Sequence, residues 1–69
     1  MNEPFREFVD WAGGIKKASE LLEAKPARVG HVYRGIRAVS RDMAERVEKA
    51  SGGRWKRCVV MWPELTDAA

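Results

Sequence analysis

The side chains best placed to do chemistry in this chain are hydrogen-bond donors, not nucleophiles. There is one histidine, His31, and one cysteine, Cys58. Neither is joined by a spacing that suggests a metal site, a catalytic triad or a glycine loop for phosphates. Glu45 and Glu48 share one side of a helical stretch, but Arg41, Arg46 and Lys49 surround them in sequence, so ion pairing explains them. The sequence therefore predicts no enzyme, no cofactor and no metal. What remains is the stretch after Pro26. There Val29, Val32 and Tyr33 recur at i, i+3 and i+4 and predict one inward face of a helix. The opposite face then shows Ala27, Gly30, His31 and Arg34. Two of these are small enough for close approach to a surface, and two can donate to it.

Positioning that face is the task of the elements around it. A first helix is expected from about Glu3 to Ala12, with Asn2 as its N-cap, Pro4 in its first turn and an apolar stripe of Phe5, Phe8, Val9 and Ala12. Gly13-Gly14 ends it. A second runs from Ile15 to Leu22, burying Ile15, Ala18, Leu21 and Leu22. At about two turns it needs packing to persist. Glu23, Ala24 and Lys25 then connect it to the third helix, Pro26 to about Arg34, which Gly35 stops. A fourth starts at the N-cap Ser40, with Asp42 in its first turn and Met43, Val47 and Ala50 as apolar positions. Ser51-Gly52-Gly53 closes it. The remainder, 54–69, reads as a short helix or turn followed by an extended segment. Cys58 is expected to be a small buried residue. The fold class is thus all-α, a compact domain of four or five helices spanning 1–69, with the pair of short helices at Ile15–Arg34 in its middle.

Two short helices joined by a tight turn and flanked by others form the skeleton of a helix-turn-helix domain, in which the second helix of the pair enters the major groove of DNA. The charge distribution agrees with such a partner. From Lys25 to Arg57 there are ten Lys/Arg and three Asp/Glu, whereas the first 24 residues hold three basic and five acidic groups. A basic middle region is expected of a surface that meets a polyanion. Arg34 is suited to the O6 and N7 edge of guanine, and His31 can donate or accept at a base edge, so Ala27, Gly30, His31 and Arg34 are the candidate base-reading residues. Lys16, Lys17, Lys25, Arg28, Arg37 and Arg41 are the candidate phosphate contacts, which fix position and carry no sequence information.

The segment from Ala12 to Gly53 also resembles the Cro-like/YdaS group of phage and prophage DNA-binding regulators. The resemblance rests on Gly13-Gly14, Leu22, Val29, Arg34-Gly35, Val39, Glu48, Ala50 and Gly52-Gly53 in order, and on the closing MWPEL at Met61–Leu65. It implies a Cro/repressor-like fold and a bacterial or phage transcriptional repressor, in a group that includes antitoxins. Two positions depart from the group's pattern. Glu23 stands where a glycine is usual in the turn, and Lys25-Pro26 stands where Ser or Thr usually precedes the recognition helix. A non-glycine residue held at positive φ costs about 1 kcal/mol.

A chain of 69 residues makes one domain that buries only about 60% of the surface its unfolded form exposes. A second copy would help, and a homodimer on a near-palindromic operator is expected, with half-sites about one helical turn apart. The apolar residues Trp55, Val59, Val60, Met61 and Trp62 are the candidate dimer contact. The polar, acidic beginning MNEPFREF is unlike a signal peptide, the lone cysteine suits a reducing compartment, and no apolar run approaches the roughly 18 residues needed to span a membrane. A cytoplasmic, nucleoid-associated location follows, with no membrane partner and no small-molecule ligand expected. Two other readings fit the same basic face: an antitoxin-type module that binds an acidic protein, and a non-specific nucleic-acid binder.

Overall fold

A computed structural model describes residues 2–62. Within them the chain forms five helices in the order α1 (Glu3–Ala12), α2 (Ile15–Leu22), α3 (Pro26–Tyr33), α4 (Arg41–Ala50) and α5 (Arg57–Met61), and no strand. The expected ending at Pro63–Leu65, and the extended segment expected behind the last helix, lie outside the described residues. No helix among the described residues is long and apolar enough to cross a membrane.

The helices are too short to be stable alone, so their apolar faces decide their places. Phe5, Phe8 and Val9 of α1, Ala18 and Leu22 of α2, Val29 and Val32 of α3, and Met43, Ala44 and Val47 of α4 close into one core with Val39 and Val60. An aromatic extension runs off one side. Phe8 meets the ring of Trp55 edge-on at 5.8 Å, and Trp11 meets the same ring at 5.5 Å.

Each of the first four helices ends in the same way. One of the two residues past the helix, Gly13, Glu23, Gly35 or Gly52, takes positive φ, and two amides turn back to carbonyls one turn earlier, the Schellman pattern. At α1, Gly13 and Gly14 donate to Asp10 and Val9; at α3, Gly35 and Ile36 donate to Val32 and His31; at α4, Gly52 and Gly53 donate to Lys49 and Glu48. At α2 the left-handed residue is Glu23, with φ of 53°, and it donates to Glu20 while Ala24 donates to Ser19. The departure noted in the sequence is therefore a real positive-φ residue.

Several expectations are corrected. Leu21 is not buried: it is 48% exposed, and Ser19 takes its place inside. Burial of Ser19 is tolerable because its hydroxyl donates to the Lys16 carbonyl at 2.6 Å. Cys58 is exposed. Val60, expected at a dimer contact, is fully buried in the core, and Trp55 is half-buried against Phe8 and Trp11. Val59 and Met61 are likewise half-buried, which leaves Trp62, 51% exposed, as the accessible member of that set. Finally, the cation that faces Glu45 and Glu48 comes from α5: Arg57 lies 3.3 Å from the first and 3.8 Å from the second.

One polar side chain adds to the packing that holds the tail to the front of the chain. Asn2 caps α1 by accepting from the Phe5 amide at 3.0 Å through Oδ1, and its Nδ2 donates to the Val60 carbonyl at 2.6 Å. Asn2→Ala should lower stability by about 1 to 2 kcal/mol in urea titration. Asn2→Asp keeps the cap but cannot donate to Val60, so it should recover only part of that loss.

Candidate nucleic-acid interface

The outer face of α3 follows from its inner one. With Val29 and Val32 committed to the core, Ala27, His31 and Arg34 stand exposed on the other side, and Arg28 is exposed at the edge between the two. Three of the four expected base-reading residues are thus brought together. The fourth is not. Gly30 is buried, and a Cβ built on it would lie 3.8 Å from the Ile15 side chain. Glycine at this point lets α3 sit close against α2, and it faces the protein, not a ligand.

Among the described residues, Lys16, Lys17, Lys25, Arg28, Arg34 and Arg37 are exposed and none enters an ion pair. Arg28 shares a shallow cleft with Ala24, Ser40, Asp42 and Arg46 at the α2–α3 turn. Arg34 and Arg37 flank the loop that leaves α3, whose Ile36 and Arg37 amides both donate to the His31 carbonyl, at 2.9 and 3.3 Å. Arg41 belongs to different surroundings. It lines an apolar groove with Arg57, Cys58, Met61 and Trp62.

Helix starts divide the same way. α1 and α4 are capped by their own side chains, Asn2 and Ser40, and each has an acid in its first turn, Glu3 and Asp42. α2, α3 and the short α5 have neither: Gly14, Lys25 and Lys56 supply no side-chain cap and no first-turn acid is present. Lys16, Lys17, Lys25 and Arg28 stand at the starts of α2 and α3; at the start of α5 the corresponding Arg57 is paired with Glu45 and Glu48. The start of a helix already bears a partial positive charge and unsatisfied N–H groups, so cations there are unfavourable unless an anion joins them. Lys16, Lys17, Lys25 and Arg28 are expected from the sequence; the missing caps are not, although Gly14 and Lys25 are legible there as residues with no short acceptor side chain.

One contact from outside the pair bears on it. Arg46 of α4 donates through Nη1 to the Leu22 carbonyl at 2.9 Å and reaches the Glu23 carbonyl at 3.4 Å. On the other side, Tyr33 donates to Asp10 at 3.0 Å and its ring lies under the Arg6 guanidinium at 4.7 Å, which fixes the end of α3 against α1. No group of three His, Cys, Asp or Glu side chains able to hold a metal occurs among the described residues.

No protein-family model matches the chain, and no curated protein or solved structure shows significant similarity to it.

Because the space at Gly30 accommodates a methyl group at ordinary contact distance, Gly30→Ala should raise stability by about 0.5 to 1 kcal/mol through the lower flexibility of the unfolded chain. Thermal unfolding checks this; a drop in midpoint would show that the α2–α3 contact is closer than described.

Proposed function

We propose that this protein is a sequence-specific double-stranded DNA-binding regulator of the helix-turn-helix type, acting as a transcriptional repressor. The observation that carries this reading is the pair of open, cation-bearing helix starts beside an exposed face of small and donating residues. α2 and α3, unlike α1 and α4, lack both cap and acid at their starts and hold Lys16, Lys17, Lys25 and Arg28 there; α5 lacks both too, but its Arg57 is paired with Glu45 and Glu48. A row of phosphates supplies the anions this arrangement is missing, bound by side chains and backbone N–H groups together. With α2 across the backbone, α3 lies in the major groove. Ala27 permits approach there, and His31 and Arg34 reach base edges. Arg37 extends the phosphate contact past the end of α3.

One copy offers few base contacts, so two copies on a two-fold site are part of the proposal. The exposed members of the groove at α5, Cys58 and Trp62, with Met61 beside them, replace the wider set expected from sequence as the place where copies meet. The resemblance to phage and prophage regulators supports the same reading, including a bacterial or phage cytoplasm as the setting.

Selection from a random duplex library tests it. A symmetric motif should emerge and bind roughly 10³-fold or more tighter than scrambled duplex. No enrichment with a steep salt dependence would identify a non-specific binder instead, and no duplex binding at all a protein-binding module. On the selected duplex, Arg34→Ala should cost about 1 to 3 kcal/mol and relax preference at one position, while Lys17→Ala should weaken all duplexes alike and lower the salt slope by about 1. Equal effects from the two variants would mean that α3 does not read bases.

A further inference from the structure

Of the four helix ends built on the Schellman pattern, three place glycine at the left-handed position, and only α2 places a side-chain-bearing residue there, Glu23 at φ of 53°. The same end receives a cation from another helix, since Arg46 of α4 donates to the carbonyls of Leu22 and Glu23 at 2.9 and 3.4 Å. The two features coincide. The carbonyls that Arg46 meets lie at the negative end of the α2 dipole, where a guanidinium is favourable and where the last carbonyls of a helix lack partners. A left-handed non-glycine residue shifts the local equilibrium against the turn by roughly five- to thirty-fold. The hydrogen bonds from Arg46 act in the opposite direction and are available only when Leu22 and Glu23 hold this conformation.

We infer that Arg46 is a positioning residue for α3: it clamps the α2–α3 turn in the left-handed geometry that glycine would otherwise provide, and so fixes how the exposed face of α3 is presented. Arg46 itself touches no ligand. Its effect on DNA rests on the function proposed above, while its effect on the turn does not. The arrangement also ties the turn to α4, whose far side is held by Arg57 at Glu45 and Glu48. The pair of short helices is thereby referenced to the rest of the domain through a side chain as well as through the core.

Arg46→Met keeps most of the aliphatic stem and removes the donors; Glu23→Gly removes the need for them. Amide exchange of the free protein reads the turn directly at Ala24, whose N–H donates to the Ser19 carbonyl at 3.0 Å. Arg46→Met should speed exchange at Ala24 by roughly five- to thirty-fold while Val47, on the same helix as Arg46, changes far less. Adding Glu23→Gly to that variant should restore the Ala24 rate, and Arg46→Lys, which keeps one donor, should fall between. On the selected duplex the same series should lose and regain roughly tenfold in specific affinity, with non-specific affinity unchanged. Unchanged exchange at Ala24 in Arg46→Met, or failure of Glu23→Gly to restore it, overturns the inference. If Arg46→Met does not fold, a folded double variant with the Ala24 rate restored supports the clamp, and an unfolded one overturns it. Because the exchange arm uses no DNA, a wild-type protein that binds no duplex would remove the proposed function and leave this test decisive.

Discussion

The rotation of one eight-residue helix about its axis sets everything on the candidate surface. α3 is too short to hold itself in place, so Val29 and Val32 must enter the core for it to exist at all. That burial leaves no freedom about which residues face outward. At 100° per residue, fixing two valines on the inside fixes Ala27, His31 and Arg34 on the outside. The hydrophobic core and the outer face are two consequences of the same packing, which is why a substitution that disturbs the core also disturbs the presentation of donors.

Much of this was legible in the sequence, because punctuation and periodicity both spoke clearly. Asn2, Pro4, Gly13, Pro26, Gly35 and Ser40 sit at helix starts and stops for reasons that depend only on neighbouring backbone, and the helix bounds follow them. The apolar stripes of α1 and α4 were likewise visible. What escaped was anything decided by a second element. Gly30 has the same local signature whether a helix or a ligand comes close, and only the position of Ile15 tells them apart. Leu21 and Ser19 exchange roles because a serine whose hydroxyl bonds back to its own helix can be buried cheaply. Val60 is drawn inward by a tail that folds back on the N-terminal residues through Asn2, a link across almost the whole chain.

The charge pattern has a similar hierarchy. A basic middle region suggests a polyanion only loosely, since a solvated face of lysines and arginines is common. The structure adds discrimination by comparing one helix start with another inside the same molecule. Two starts are closed by side-chain oxygens and an acid; three are left open, and of these α5 has its Arg57 paired with Glu45 and Glu48, whereas the cations at α2 and α3 enter no ion pair among the described residues. Self-repulsion of that kind is tolerable in a marginal domain only while it is small, and it is relieved by a bound anion. The left-handed Glu23 is a second local cost at the same pair of helices, offset by Arg46. Both costs lie at the helices that carry the candidate site, and the remaining three helices serve chiefly to hold it.

The central claim is that the outer face of α3 is where this protein meets DNA. The most direct measurement is a titration of isotopically labelled protein with the selected duplex, following each backbone amide. Shifts should gather at Ala27, Arg28, His31 and Arg34, continue into Arg37, and include Lys16 and Lys17 at the start of α2. Changes centred elsewhere, with Ala27, His31 and Arg34 unmoved, would contradict the account.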